Sequence, residues 1–214
     1  MNTKISHLGA IVFLAFASWV KGAETPEAKP FPVSIRVDVA QPRGELKPIY
    51  RFFGADEPNY AYMKNGRKLL GELGKLKPKQ VYFRAHNLLC TGNGTPALKW
   101  GSTGVYREDA QGNAIYDWTL LDRIFDAYRD NGVRPFAQIG FMPEALSIKP
   151  QPYQHQWTPA AKYSEIETGW AYPPKDYDKW RELVYQWVKH CVERYGREEV
   201  AQWYWEVWNE ASGY

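Results

Sequence analysis

Apolar residues follow two different rhythms along the chain. Val81-Tyr82-Phe83-Arg84-Ala85-His86, the stretch from Val133 to Gly140 and the stretch from Gln202 to Asn209 are short runs rich in β-branched and aromatic residues, which predicts strands. Leu120, Leu121, Ile124, Phe125 and Tyr128 recur at helical spacing, as do Trp180, Leu183, Val184, Trp187, Val188, Cys191 and Tyr195. Gly132 and Gly196 stand where the C-terminal caps of these two helices belong. Upstream, a further strand is predicted around Ile49 to Gly54, then a helix from Met63 to Leu73 burying Leu69, Leu70 and Leu73.

The segments between these elements are unequal. A Gly-, Thr- and Asn-rich loop runs from the second strand to Tyr116, and Phe141-Met142-Pro143 opens a second long loop carrying Trp157, Trp170, Tyr172 and Pro173-Pro174. The turns that enter strands, Asn131-Gly132 and Gly196 to Glu199, are short. Strand, long loop, helix and strand in repetition is the pattern of βα units, hence an α/β fold with a parallel sheet. In such sheets ligands meet the carboxyl ends of the strands. Here that is the face carrying the long loops.

Composition narrows the function classes. A net charge of +3, with no run of Lys or Arg, leaves no footprint for nucleic acid or an anionic membrane. His86, His155 and His190 keep no ligand spacing, and no Cys pair or GxGxxG accompanies them, so neither a metal nor another cofactor is implied. Aromatic residues make up 16% of the chain, with 10 Trp and 15 Tyr. Aromatic faces are platforms for sugar rings, although composition alone favours simple core filling.

Residues 1–23 have a basic start at Lys4, an apolar stretch from Leu8 to Val20 and the small pair Gly22-Ala23, the layout of a secretory signal. Export to the periplasm or the medium is therefore expected, with no integral membrane span once the signal is cleaved; an uncleaved anchor is the alternative. Residues 24–45 form a Pro- and charge-rich lead-in, and the alternating strands and helices fill 46–214. Cys90 and Cys191 can pair after export if geometry allows, but Cys191 falls on the apolar stripe of a helix, where a free thiol is the simpler expectation.

The densest chemistry lies in Trp203-Tyr204-Trp205-Glu206-Val207-Trp208-Asn209-Glu210. Strand alternation puts Glu206, Trp208 and Glu210 on one face, with Glu210 at the carboxyl end. A carboxyl group shielded by Trp and Tyr rings keeps its proton to higher pH than a free one, as a general acid for a glycosidic oxygen requires. Asn209 beside it can bond a sugar hydroxyl. A structural Glu at a strand end is the competing description.

Glu206-Val207-Trp208-Asn209-Glu210 resembles the acid/base strand of glycoside hydrolase family 39, which contains β-xylosidases and α-L-iduronidases. Phe53-Gly54-Ala55-Asp56-Glu57-Pro58-Asn59, Arg84-Ala85-His86-Asn87, Tyr116-Asp117-Trp118, Gly140-Phe141-Met142-Pro143 and His190-Cys191-Val192-Glu193-Arg194-Tyr195-Gly196 are similar to segments of the same family, so the likeness runs from about residue 50 onward. It implies a (β/α)8 TIM barrel and a retaining mechanism on β-linked sugars, xylosides first, with an oligosaccharide, polysaccharide or other glycoside as partner. Glu210 would be the acid/base; Asn209, Arg84, His86, Trp208 and Glu57 would bind substrate. For His86, a histidine held in the core by a carboxylate is the rival description. Asp56, Glu57 and Glu144 read individually as solvated loop carboxylates, and Glu206 as support for Glu210 or a partner for Arg84.

Two departures qualify the likeness. Ala211 follows Glu210 where the family usually has Pro. A full barrel takes about 250 residues, whereas four strands precede Tyr214, so the barrel is expected to be truncated after the fourth strand, without the nucleophile that the family supplies from the seventh. A non-catalytic sugar-binding fragment and a retaining glycosidase of another barrel family are the alternatives.

Overall fold

The computed structural model describes residues 32–45, 47–95, 103–153 and 168–210, in two units that divide after Glu45. The first unit is extended over its described part, with a turn where the Asp38 carboxylate accepts hydrogen bonds from Ala40 N and Gln41 Nε2. The expected signal segment lies outside the described residues.

The second unit is built on four strands: β1 (Phe52–Ala55), β2 (Val81–Ala85), β5 (Val133–Ile139) and β6 (Tyr204–Val207). They pair in parallel in the order β1-β2-β5-β6, so each strand lies beside its nearest predecessor in this sheet. Between them run the helices α1 (Lys64–Leu76), α2 (Thr119–Asp130), α3 (Tyr177–Tyr195) and the single turn α4 (Arg197–Val200). The parallel α/β architecture is thus present. A short antiparallel hairpin, β3 (Tyr106–Glu108) with β4 (Ala114–Tyr116), completes the unit.

Alternation divides the sheet's residues between two faces. Val81, Phe83, Ala85, Val133 and Ala137 pack against Leu121, Ile124, Phe125 and Tyr128 of α2 and Leu183, Trp187 and Cys191 of α3, all in one buried cluster. Apolar burial on this scale is what holds a βα layer together. On the opposite face Phe52, Tyr82, Phe136 and Tyr204 form an aromatic layer across all four strands, with ring centroids 5.5 Å apart for Phe52–Tyr82, 4.8 Å for Tyr82–Tyr204 and 5.5 Å for Phe136–Tyr204. Above them, toward the carboxyl ends, stand Arg84, Gln138 and Glu206.

The helices begin and end for local reasons. The Asp176 side chain accepts from the backbone of Asp178 and Lys179 and caps α3. Gly196, at φ 88°, ends it in a conformation that disfavours residues with a side chain. Lys175 and Lys179 reach across to Glu108 at 3.0 and 2.8 Å and tie the hairpin to the start of α3.

Several local expectations are corrected. Residues Ile49–Arg51 form a 3-10 turn, and the strand begins only at Phe52. Leu69 is 48% exposed, because the sheet-facing side of α1 runs through Leu70 and Gly74. Gly74 lets α1 approach the end of α2 closely: a Cβ there would lie 1.9 Å from the Asn131 carbonyl oxygen. The supposed loop up to Tyr116 contains the β3–β4 hairpin, and the expected turn from Gly196 to Glu199 is the cap and first three residues of α4. The last strand stops at Val207 rather than at Asn209, because Trp208 turns to φ 63°. Cys90 and Cys191 are both buried and free.

Candidate active site

The carboxyl ends of the four strands carry Asp56, His86, Gly140 and the segment Trp208-Asn209-Glu210, each supplied by the loop that leaves its strand. The residue that links His86 to Asn209 is Arg84, the fourth residue of β2. Its Nε donates to Glu206 Oε2 at 2.5 Å and its Nη2 to Glu206 Oε1 at 2.6 Å, a two-pronged pairing from β2 to β6. Nη2 also donates to Asn209 Oδ1 at 2.7 Å, and Nη1 donates to His86 Nε2.

The direction of these bonds fixes the state of each partner. A guanidinium can only donate, so the Asn209 atom that faces it is the carbonyl oxygen, and the NH2 group is turned away. By the same rule His86 Nε2 carries no proton. The ring's proton sits on Nδ1, which faces Asp56 Oδ1 at 3.3 Å. Burial pushes the His86 pKa below its ordinary value and the Arg84 charge adds to this, against the opposing pull of Asp56, Glu206 and Glu210. His86 is therefore neutral, buried and engaged at both nitrogens, while the nearby Glu210 charge acts on it.

Trp208 lies on Gly140 and meets Phe141 edge-on at 5.3 Å. Gly140 makes this possible: at φ 150° a Cβ would sit 3.0 Å from Gln138 Nε2 and 3.1 Å from the Trp208 ring. The far side of Trp208 forms one wall of an open apolar cleft of about 300 Å³ shared with Trp180, Tyr177 and Pro173. Gln138, opposite Glu206 in the sheet register, is fully buried, and neither atom of its amide has a hydrogen-bond partner among the described residues.

The residues singled out from sequence thus separate into two groups. Arg84, His86 and Asn209 come together through direct hydrogen bonds, with Trp208 packed beside them. Glu57 does not join them. It begins the 3-10 turn Pro58–Tyr62 and lines a cavity of about 70 Å³ on the helix side of the sheet, with Leu70, Phe83 and Tyr128. The expected common face of Glu206, Trp208 and Glu210 is not formed, since left-handed backbone at Trp208 and Glu210, φ 63° and 48°, breaks the alternation. Glu210 is consequently exposed rather than shielded by aromatic rings.

Two participants gain a role that the sequence does not show. Asp56 is the solvated loop carboxylate that the sequence suggests, its side chain 54% exposed, and it also faces Nδ1 of His86. Gln138 was overlooked, although alternation from Phe136 places it on the inner face. Among the described residues no group of three His, Cys, Asp or Glu side chains is arranged to hold a metal ion, and no helix is long and apolar enough to cross a membrane.

Comparison with known proteins agrees with this geometry. The chain is 40% identical over 132 residues to a β-xylosidase of Geobacillus stearothermophilus, covering 60% of this chain and 22% of that enzyme. The structure superposes on the family 39 enzyme of Xanthomonas axonopodis pv. citri with a TM-score of 0.56 and 31% identity, covering 74% of this chain and 27% of that one. A monomeric β-xylosidase from Caulobacter crescentus CB15 gives 0.54 and 28% with the same coverage. The chain therefore spans only about a quarter of the length of these relatives. The model of the family described as glycosyl hydrolases family 39 matches residues 33–213, and with strand-end residues and overall match in accord, this chain belongs to that family.

Proposed function

We propose that the chain supplies the acid/base side of a retaining glycoside hydrolase acting on β-linked sugars, with xylosides as the leading substrates, and that its sheet is the first half of a (β/α)8 barrel. The consecutive parallel order β1-β2-β5-β6 supports the barrel, and the aromatic layer of Phe52, Tyr82, Phe136 and Tyr204 would be its floor. The observation that carries the enzymatic reading is the Arg84 junction, which holds Asn209 at the strand end immediately before Glu210.

In this mechanism Glu210 gives its proton to the glycosidic oxygen as the bond from the anomeric carbon to that oxygen breaks. A second carboxylate, about 5–5.5 Å from the first, attacks the same carbon and forms the glycosyl-enzyme. Glu210, now a carboxylate, takes a proton from the water that releases the sugar. The outward NH2 of Asn209 donates to a sugar hydroxyl oxygen. Similarity to the β-xylosidases of Geobacillus stearothermophilus and Caulobacter crescentus supports a xyloside as the β-linked substrate. Residues 1–23 are proposed to direct export, which the N-terminus of the secreted protein would reveal.

The test is hydrolysis of an aryl β-xyloside by the complete open reading frame and by its Glu210→Gln variant. The variant is expected to lose at least about 10²-fold in the release of sugar, the usual worth of one general acid/base. Azide, which attacks without needing a base, should restore turnover as a β-xylosyl azide. Unchanged hydrolysis in the variant would remove Glu210 from this role. Sugar binding without hydrolysis in the parent would make the protein a carbohydrate-binding one.

A further inference from the structure

Glu206 has no part in the proposed chemistry, yet it makes the strongest side-chain contact of the site. Both of its oxygens are occupied by Arg84, through Nε and Nη2, at 2.5 and 2.6 Å. Two parallel bonds to one carboxylate hold the guanidinium in a single plane, which one bond or a diffuse attraction would not do. The remaining N–H groups then point where that plane sends them. One reaches Asn209 Oδ1 at 2.7 Å, and Nη1 reaches His86 Nε2. The side chains of Arg84 and Glu206 are each about a quarter exposed, so water competes little for the pairing.

We propose that Glu206 is a positioning residue: by fixing the plane of the Arg84 guanidinium it turns the NH2 group of Asn209 toward the sugar and holds His86 with its proton on Nδ1. The sugar in this statement rests on the glycosidase reading; the hydrogen bonds do not. Glu206 reaches substrate only through Arg84 and Asn209. A carboxylate present merely to neutralise Arg84 would predict something different, because any anion at position 206 would then serve. Glu206→Asp separates the two ideas, since it keeps the charge but shortens the reach by one methylene and breaks the two-pronged geometry. Glu206→Gln removes the charge and keeps the shape.

The experiment is nitrogen NMR of the full chain, labelled in histidine and asparagine side chains, for the parent and both variants, followed by titration with xylose. In the parent, His86 should show a single neutral form protonated at Nδ1, and the Asn209 NH2 signals should move on adding xylose. In both variants His86 should become a mixture of its two neutral forms, and the apparent affinity for xylose should fall about fivefold, the net worth of one hydrogen bond. A proton on Nε2 of His86 in the parent overturns the proposal whether or not the variants fold. So does Glu206→Asp with the parent's His86 and Asn209 signals. If His86 behaves as expected in parent and variants while Asn209 ignores xylose, the positioning role is supported and the glycosidase reading fails.

Discussion

The sheet carries two arginine–glutamate forks, one at each end. At the amino end Arg134 donates to Glu199 at 2.7 and 3.0 Å, and the indole nitrogen of Trp203 donates to the same carboxylate at 3.2 Å. At the carboxyl end Arg84 grips Glu206 more closely, at 2.5 and 2.6 Å, and it also holds Asn209 and His86. The chemical device is the same and the outcome differs. The first fork gathers α4, β5 and the approach to β6 around one carboxylate. The second passes its geometry to groups that stand at the strand ends. What separates a brace from a part of the site is where the remaining donors of the arginine go.

Breaking the amino-end fork should have the largest effect on stability. The Arg134 side chain is 11% exposed and that of Glu199 is 32% exposed, so stranding the arginine costs more than stranding the acid. Glu199→Gln is expected to lower unfolding free energy by about 2–3 kcal/mol and Arg134→Met by about 1–2 kcal/mol, less than for a fully buried pair. Urea unfolding measures both. Equal losses would show that the two partners reach water equally well.

Acid should act on the same fork next. The Arg134 hydrogen bonds hold the Glu199 carboxyl below its ordinary value, outweighing the upward push of burial. A depressed folded-state pKa gives stability that is complete above the unfolded value and is lost as pH falls through the folded one. Stability should therefore decline as pH drops below the usual glutamate range, and the Arg134→Met variant should lose part of that acid dependence. An identical pH profile in parent and variant would sink this assignment.

The smallest effect should come from Gln138, beside the carboxyl-end fork. An amide buried without partners is costly, and an apolar side chain of similar shape removes the cost. Gln138→Met is expected to raise stability by about 1 kcal/mol, read as a higher melting temperature. A loss of stability would mean that the amide is satisfied in solution.

What the sequence conveys depends on whether burial repeats. The α3 stripe was legible because Leu183, Trp187 and Cys191 are all buried at helical spacing. The parallel strands were legible from runs such as Val133–Ile139, buried through most of their length. The β3–β4 hairpin was not, since three-residue strands in a polar stretch leave no period to count. The site follows the same division. Arg84, His86 and Asn209 stand out by residue type, but the break after Val207 depends on backbone angles at Trp208 and Glu210 that alternation cannot foresee. Glu57 lines a cavity with Leu70 and Phe83, because position after a strand does not tell on which side of the sheet a side chain ends.

The two unpaired cysteines give the molecule a built-in gauge of its own opening. Cys191 belongs to the main core and Cys90 to the smaller cluster of Phe141, Tyr153 and Trp170. Burial pushes the Cys90 thiol up to about 12 and raises Cys191 as well, so neither offers a reactive thiolate while its surroundings stay closed. A thiol reagent thus times the breathing of each cluster separately, and the order in which the two sulfurs are labelled ranks the looseness of the loop-side cluster against that of the helix layer.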